Sequence, residues 1–167
     1  MRTRTVCTVL AGAALLLIAS TVPLFAHCEI PCGIYGDAMR IDMLREDIAT
    51  IEKSMNKIVE LSAETPVNYN QLVRWITNKD EHAVKVQEIV TQYFMTQRLK
   101  PADVQDGATL HDYTEKLTCL HRMLVYAMKC KQTTDLKHVE TLKKLVDRFY
   151  DLYFDKEAKE HMKEHHK

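Results

Sequence analysis

Hydrophobic and polar positions between residues 37 and 160 recur with the period of an α-helix. Ile41, Leu44, Ile48, Ile51, Met55 and Ile58 step by threes and fours, which places them on one helix face. A second stripe runs through Leu72, Ile76, Ala83, Val86, Val90 and Tyr93, and the polar run Asn78-Lys79-Asp80-Glu81 interrupts it. Tyr113, Leu117, Leu120, Leu124 and Ala127 form a third stripe; Val139, Leu142, Val146, Phe149 and Tyr153 form a fourth. Asp37 is the expected N-cap of the first helix. Residues 62–68, with Pro66, read as a loop; Pro101 and Gly107 punctuate the second connection; residues 131–134 make a polar turn. The charged end, 156–167, is expected to fray.

Four amphipathic helices, each too polar to stand alone, must bury their stripes on one another. The pattern predicts an all-α fold, a four-helix bundle with up-down-up-down connectivity over residues 37–160, followed by a polar tail at 161–167. Only 4 Gly and 4 Pro among 167 residues argue against a turn-rich β protein. A formal net charge of zero argues against a basic nucleic-acid binder, so no nucleic-acid partner is expected.

The first 26 residues differ in kind. Arg2 and Arg4 precede an apolar run from Val9 to Ala19, then come Pro23 and Leu24-Phe25-Ala26. A basic start, a short apolar stretch and a small residue at the cut read as a secretory signal peptide. The run is short for a bilayer span, so no membrane attachment is expected after cleavage. Export to a periplasmic or extracellular location follows. Removing a segment with two Arg and no acid leaves 141 residues of net charge −2 and makes His27 the first residue. In an oxidising compartment each remaining Cys must be paired, buried or metal-bound.

The chain would then start His27-Cys28-Glu29-Ile30-Pro31-Cys32-Gly33-Ile34-Tyr35. The α-amine of His27, with a pKa near 8, yields its proton readily to a divalent ion. Amine and Cys28 amide nitrogen close one five-membered chelate ring, and the Cys28 nitrogen and its own sulfur close another. Cys32, returning through a turn at Pro31, supplies a second sulfur. Two nitrogens and two thiolates in a plane suit Ni(II) or Cu(II) rather than tetrahedral zinc. The His27 imidazole is left to approach from above the plane, where a fifth nitrogen and the anionic thiolates stabilise an oxidised metal. This predicts a redox site, residues 27–36, cycling between Ni(II) and Ni(III). The spacing and Gly33 exclude a c-type haem site. A Cys28–Cys32 disulfide on a purely structural bundle, and a non-enzymatic nickel or copper carrier using the same clasp, are the competing readings.

The motif His27-Cys28-x-x-Pro31-Cys32-Gly33-x-Tyr35, placed after a cleavable leader and before a helical domain, resembles the metal hook of the nickel superoxide dismutases. The resemblance implies disproportionation of superoxide to dioxygen and hydrogen peroxide, one nickel ion per subunit, and a homohexamer of four-helix bundles. It implies as ligands the His27 amine and imidazole, the Cys28 amide and thiolate, and the Cys32 thiolate. Tyr35 would gate or orient the small anion. The family's carboxylate behind the axial imidazole falls on Asp42 through the pattern Arg40-Ile41-Asp42, across a one-residue gap and with Asp in place of Glu. The family's partner Arg has no clear counterpart; Arg74 is the only candidate of its type in that region, and the role is not transferred to it.

The remaining chemistry-bearing residues have plainer readings. Cys119 and Cys130, eleven residues apart on one helix, lie about 16 Å from each other and cannot bridge; they are expected as buried thiols. Met39, Met43, Met55, Met95, Met123 and Met128 are expected as core filler. Trp75, Tyr150 and Tyr153 are expected in the core or a subunit interface, and His82, His111, His121 and His138 on solvated or polar faces. His161, His165 and His166 form a solvated tail, with assistance in nickel loading as the alternative.

Overall fold

The computed structural model describes residues 35–165, with side chains through residue 160. Helix α1 (Asp37–Ser62) is followed by α2 (Tyr69–Glu88), which continues without a break into a π-helical segment (Ile89–Arg98). Then come α3 (Gly107–Gln132), α4 (Leu136–Tyr153) and a short α5 (Lys156–His165). No strand occurs among the described residues. The chain end expected to fray is therefore helical as far as His165; the side chains of its three histidines lie outside the described residues. None of the described helices is long and apolar enough to cross a membrane.

Local signals start each helix. The Asn68 side chain accepts a hydrogen bond from the Gln71 N–H, Asp106 accepts from Ala108 and Thr109, and Asp135 from Lys137. Each satisfies backbone donors that a first turn leaves open. Gly107 is the first residue of α3 rather than part of the connection. Helix α1 departs from expectation too. Gly36 takes the N-cap position and offers no side chain, and Asp37 is the first helical residue because its carboxylate is engaged elsewhere.

Cross-helix pairs fix the topology. Asp47 meets His82 and Ser54 meets Asn78; Lys79 meets Cys130 and Gln87 meets Leu124. Glu115 pairs with Arg148 and Cys119 with Leu145; Arg45 pairs with Asp147 and Glu52 with Lys143. In every pair of neighbouring helices the numbers rise on one side as they fall on the other. The bundle is up-down-up-down, with α1 closing against α4. The exposed ion pairs set register and contribute little energy. The core does the stabilising: Ile41, Leu44, Ile48, Ile51 and Met55 of α1 face Val86, Phe94, Leu120, Leu142, Val146 and Phe149, all essentially inaccessible to solvent.

The second stripe holds only in part. Ala83, Val86, Val90 and Tyr93 are buried, Leu72 is half-buried and Ile76 is exposed. Lys79 touches the end of α3, so the two turns of α2 before it stand beyond that helix and pack on α1 alone, through Asn78 on Ser54 and Trp75 beneath the Lys53 ammonium. The methionines divide similarly. Met55 and Met123 fill the core, while Met39, Met43 and Met128 are exposed. His111 and His121 are exposed, and His82 is on a polar rather than a solvated face: its Nδ1 lies 2.7 Å from the buried Asp47 carboxylate. His138 is half-buried against the Tyr126 ring, and its Nδ1 is buried without a partner.

Candidate metal centre and its anchor

His27, Cys28 and Cys32 lie outside the described residues. Tyr35 is the first described residue and is 47% exposed. Asp42 sits on the outer face of α1, where the Arg45 guanidinium approaches its carboxylate at 3.4 Å and also reaches Asp147. Arg74 is exposed near the start of α2. Among the described residues no group of three or more His, Cys, Asp or Glu could hold a metal ion. Within the bundle Cys119 and Cys130 are separate, buried thiols. Burial pushes the Cys130 thiol up to about 11 and raises Cys119 as well, which suits neither for metal binding at neutral pH.

What the bundle does build is an anchor at Asp37, the first residue of α1. The Asp37 carboxylate receives a two-pronged grip from Arg98, Nε to Oδ1 at 2.8 Å and Nη2 to Oδ2 at 2.6 Å. The Tyr93 hydroxyl donates to Oδ1 at 2.6 Å and the Tyr153 hydroxyl to Oδ2 at 2.9 Å. Each carboxylate oxygen thus accepts two hydrogen bonds, which fills its capacity. The Tyr93 oxygen in turn accepts the Gly36 backbone N–H at 2.9 Å. One carboxylate therefore ties the start of α1 to both the π-helical segment and the end of α4.

Electrostatics follow the geometry. Burial alone would raise the Asp37 carboxyl, but the bonds from Arg98, Tyr93 and Tyr153 outweigh it and hold the group below the ordinary carboxylate range. Burial and the Asp37 charge together push Tyr93 and Tyr153 up to about 12. Both hydroxyl protons stay on oxygen at neutral pH, committed to Asp37. The positive end of the α1 dipole adds to the preference for a carboxylate here. Beneath the anchor the Phe94 ring meets Tyr93, Phe149 and Tyr153 edge to face at 4.9–5.6 Å, and the Arg40 guanidinium covers the Tyr93 ring at 4.9 Å.

The π-helix makes this convergence possible. Tyr93 and Arg98 are five residues apart, and in a helix of 3.6 residues per turn they would point about 140° away from each other. Here the ladder runs over five residues, as in Leu99 N–H to Phe94 O at 2.7 Å, and Thr96 and Gln97 side chains bond the carbonyls five positions earlier. Residues i and i+5 then stack, and both side chains reach Asp37. The sequence reading misses Arg98 because it searches at α-helical spacing, and it counts Tyr93 and Tyr153 as core. The available signal is a pair of opposite charges, an Asp at the start of the first helix and an Arg five residues past the end of the second hydrophobic stripe.

In the sequence the described bundle, in which no group of three or more His, Cys, Asp or Glu could hold a metal ion, is preceded by the segment His27-Cys28-x-x-Pro31-Cys32. The model of the family described as nickel-containing superoxide dismutase matches residues 23–157, which takes in both hook and bundle. The chain belongs to that family. It is a nickel-dependent oxidoreductase that converts superoxide to dioxygen and hydrogen peroxide, and the family match disfavours the carrier alternative. Neither the comparison with curated proteins nor that with solved structures finds a match.

Proposed function

We propose that the nickel ion of this superoxide dismutase is held by the first six residues of a chain cut between Ala26 and His27. The observation that carries this is the donor set itself. An α-amine, an amide nitrogen and two thiolates fall within six residues. That set fits a square-planar divalent ion and lowers the potential of an otherwise too oxidising metal. When bound, nickel would supply one-electron redox chemistry between its +2 and +3 states, enough to oxidise one superoxide and reduce the next. The chain does the rest. The His27 imidazole would add a further nitrogen donor, and Tyr35 would orient the anion and, with water, deliver protons to the peroxide product. Asp42, steadied by Arg45, supports the imidazole.

The test begins with N-terminal sequencing, metal analysis and a superoxide decay assay on protein isolated from cells. A first residue other than His27 overturns the proposal. His27→Ala, cut at the same bond, is expected to retain nickel through amine and thiolates but lose most of the Ni(III) signal and most activity; full activity removes the axial-imidazole role. One extra residue ahead of His27 displaces the terminal chelate and should be worse still.

Export and assembly complete the proposal. Residues 1–26 act as the signal peptide for a periplasmic or extracellular enzyme, which cell fractionation tests. A homohexamer is what the family resemblance implies, and self-association is supported by Tyr69, Val73 and Ile76, exposed at i, i+4 and i+7 on the overhanging start of α2, with exposed Val59 at the end of α1. Val73→Asp is expected to yield smaller species in sedimentation velocity, and a wild-type chain that sediments as a monomer refutes the assembly.

A further inference from the structure

The geometry points to Asp37 as the positioning residue of the nickel hook, held by Arg98, Tyr93 and Tyr153. The inference rests on the ligand reading above and adds a requirement to it. Donors drawn from the first six residues of a chain can wrap a metal ion anywhere, even on a short peptide. What they cannot do alone is fix where that ion sits or how the axial imidazole meets it. For that, the far end of the hook must be immobile.

Four features of the anchor serve that purpose. It acts at the right place, because Gly36 closes the hook, Asp37 follows it, and only four peptide links, about 14 Å of fully extended chain, separate Cys32 from Gly36. It grips backbone as well as side chain, through the Gly36 N–H on the Tyr93 oxygen. It is over-determined, with four hydrogen bonds on one carboxylate from two separate elements. And it costs the helix an ordinary N-cap, since the side chain best placed for capping is turned inward and Gly36 caps without one. A ten-residue departure from α-helical winding accompanies it, and such departures are unfavourable and short in most helices. An anchor serving only stability would need neither of the last two.

The anchor also partitions the tyrosines. Tyr93 donates its proton to Asp37 and accepts from Gly36. Tyr153 likewise spends its proton on Asp37. Both hold the start of α1 through that carboxylate.

The decisive readout is the electron paramagnetic resonance spectrum of the oxidised, nickel-loaded full chain. Asp37→Asn keeps the shape but loses the charge that binds Arg98. It should retain one nickel per chain while the single, well-resolved Ni(III) spectrum of the wild type broadens into several overlapping species. Activity should fall about ten- to a hundredfold, the scale of a small displacement at a reacting centre. Tyr153→Phe removes one bond of the four and should show the same broadening in milder form; it carries the test if Asp37→Asn fails to fold by circular dichroism. Lys79→Met, remote from the anchor, controls for lost stability and should leave the spectrum unchanged. Spectra of Asp37→Asn and Tyr153→Phe identical to wild type overturn the inference, as does the same broadening in Lys79→Met. A wild-type protein with no nickel signal at all fails the ligand reading instead, so the two failures are distinct.

Discussion

Lys79 is a buried lysine whose removal has a calculable consequence. Its side chain is 4% exposed and its ammonium uses all three protons, on Asp80 Oδ1 at 2.8 Å, the Cys130 carbonyl at 2.7 Å and the Lys131 carbonyl at 2.5 Å. The last carbonyls of a helix have no intrahelical partner, and a cation there also meets the negative end of the dipole. Lys79 of α2 therefore closes the end of α3. Lys79→Met preserves the apolar stem and deletes the charge. It strands two carbonyls, one of them in fully buried surroundings, at about 1–3 kcal/mol each. Against this stands the desolvation of the ammonium, which the variant no longer suffers. Asp80 is half exposed and regains water. The net expectation is a loss of about 2–4 kcal/mol. For a unit of roughly 130 residues, that is a fall in Tm of about 7–15 °C. Thermal unfolding followed by circular dichroism measures it, and amide exchange should quicken first around the α3–α4 turn. A variant as stable as wild type, with unchanged exchange there, refutes the reasoning, because desolvation would then cancel the bonds.

Three further expectations are independent of that one. The Asp37 carboxyl is held below its unfolded value, so its contribution to stability is complete above about pH 4 and disappears as pH falls through the folded pKa; the gap in urea stability between wild type and Asp37→Asn should be constant near neutrality and shrink in acid, and a gap that widens on acidification refutes the assigned direction. Leu120→Ala empties a fully buried site between four helices and should cost about 3–5 kcal/mol, read from the urea midpoint. In a Cys28→Ser/Cys32→Ser background, Cys119 and Cys130 should react with a thiol reagent only as fast as the bundle opens, since both are buried and their thiols are pushed up; rapid labelling at pH 7 contradicts that burial.

The fold was legible because the first and fourth stripes obey one period and hide on one face each; the third is set off the true face, with Tyr113, Leu117 and Leu124 only half-buried while Cys119, Met123 and Cys130 join Leu120 and Ala127 in the core. Every residue of the first, from Ile41 to Ile58, is buried, and so is every residue of the fourth up to Phe149. Leu72 and Ile76 failed because periodicity reports a face, not whether a neighbour is long enough to cover it; that depends on where α3 ends. The anchor was illegible for a different reason. Asp37 had two local options, to cap its own helix or to turn inward, and only the distant Arg98, Tyr93 and Tyr153 decide between them. The π-helical winding that aims Arg98 has no sequence signature at 3.6-residue spacing. The hook can be proposed from the sequence alone because its chemistry is local: all the proposed donors come from six consecutive residues, and no fold is needed to bring them together.

That locality determines how nickel and folding are coupled. Metals stabilise a fold in proportion to how much better they bind the native than the unfolded chain. In zinc fingers the ligands come from separated positions, so metal binding and folding are one event. Here the proposed ligands span His27 to Cys32, and an unfolded chain can present them nearly as well. The described core, from Ile41 to Phe149, contains none of them. Stripping nickel with a chelator should therefore abolish activity while leaving the thermal midpoint of the bundle almost unchanged, by less than about 3 °C, a difference of less than about 1 kcal/mol. The residual shift measures how far the Asp37 anchor favours the metal-bound hook, and it should vanish in Asp37→Asn. A large loss of stability on nickel removal would mean that ligands distant in sequence complete the site, and would refute the assignment of the whole donor set to the first six residues.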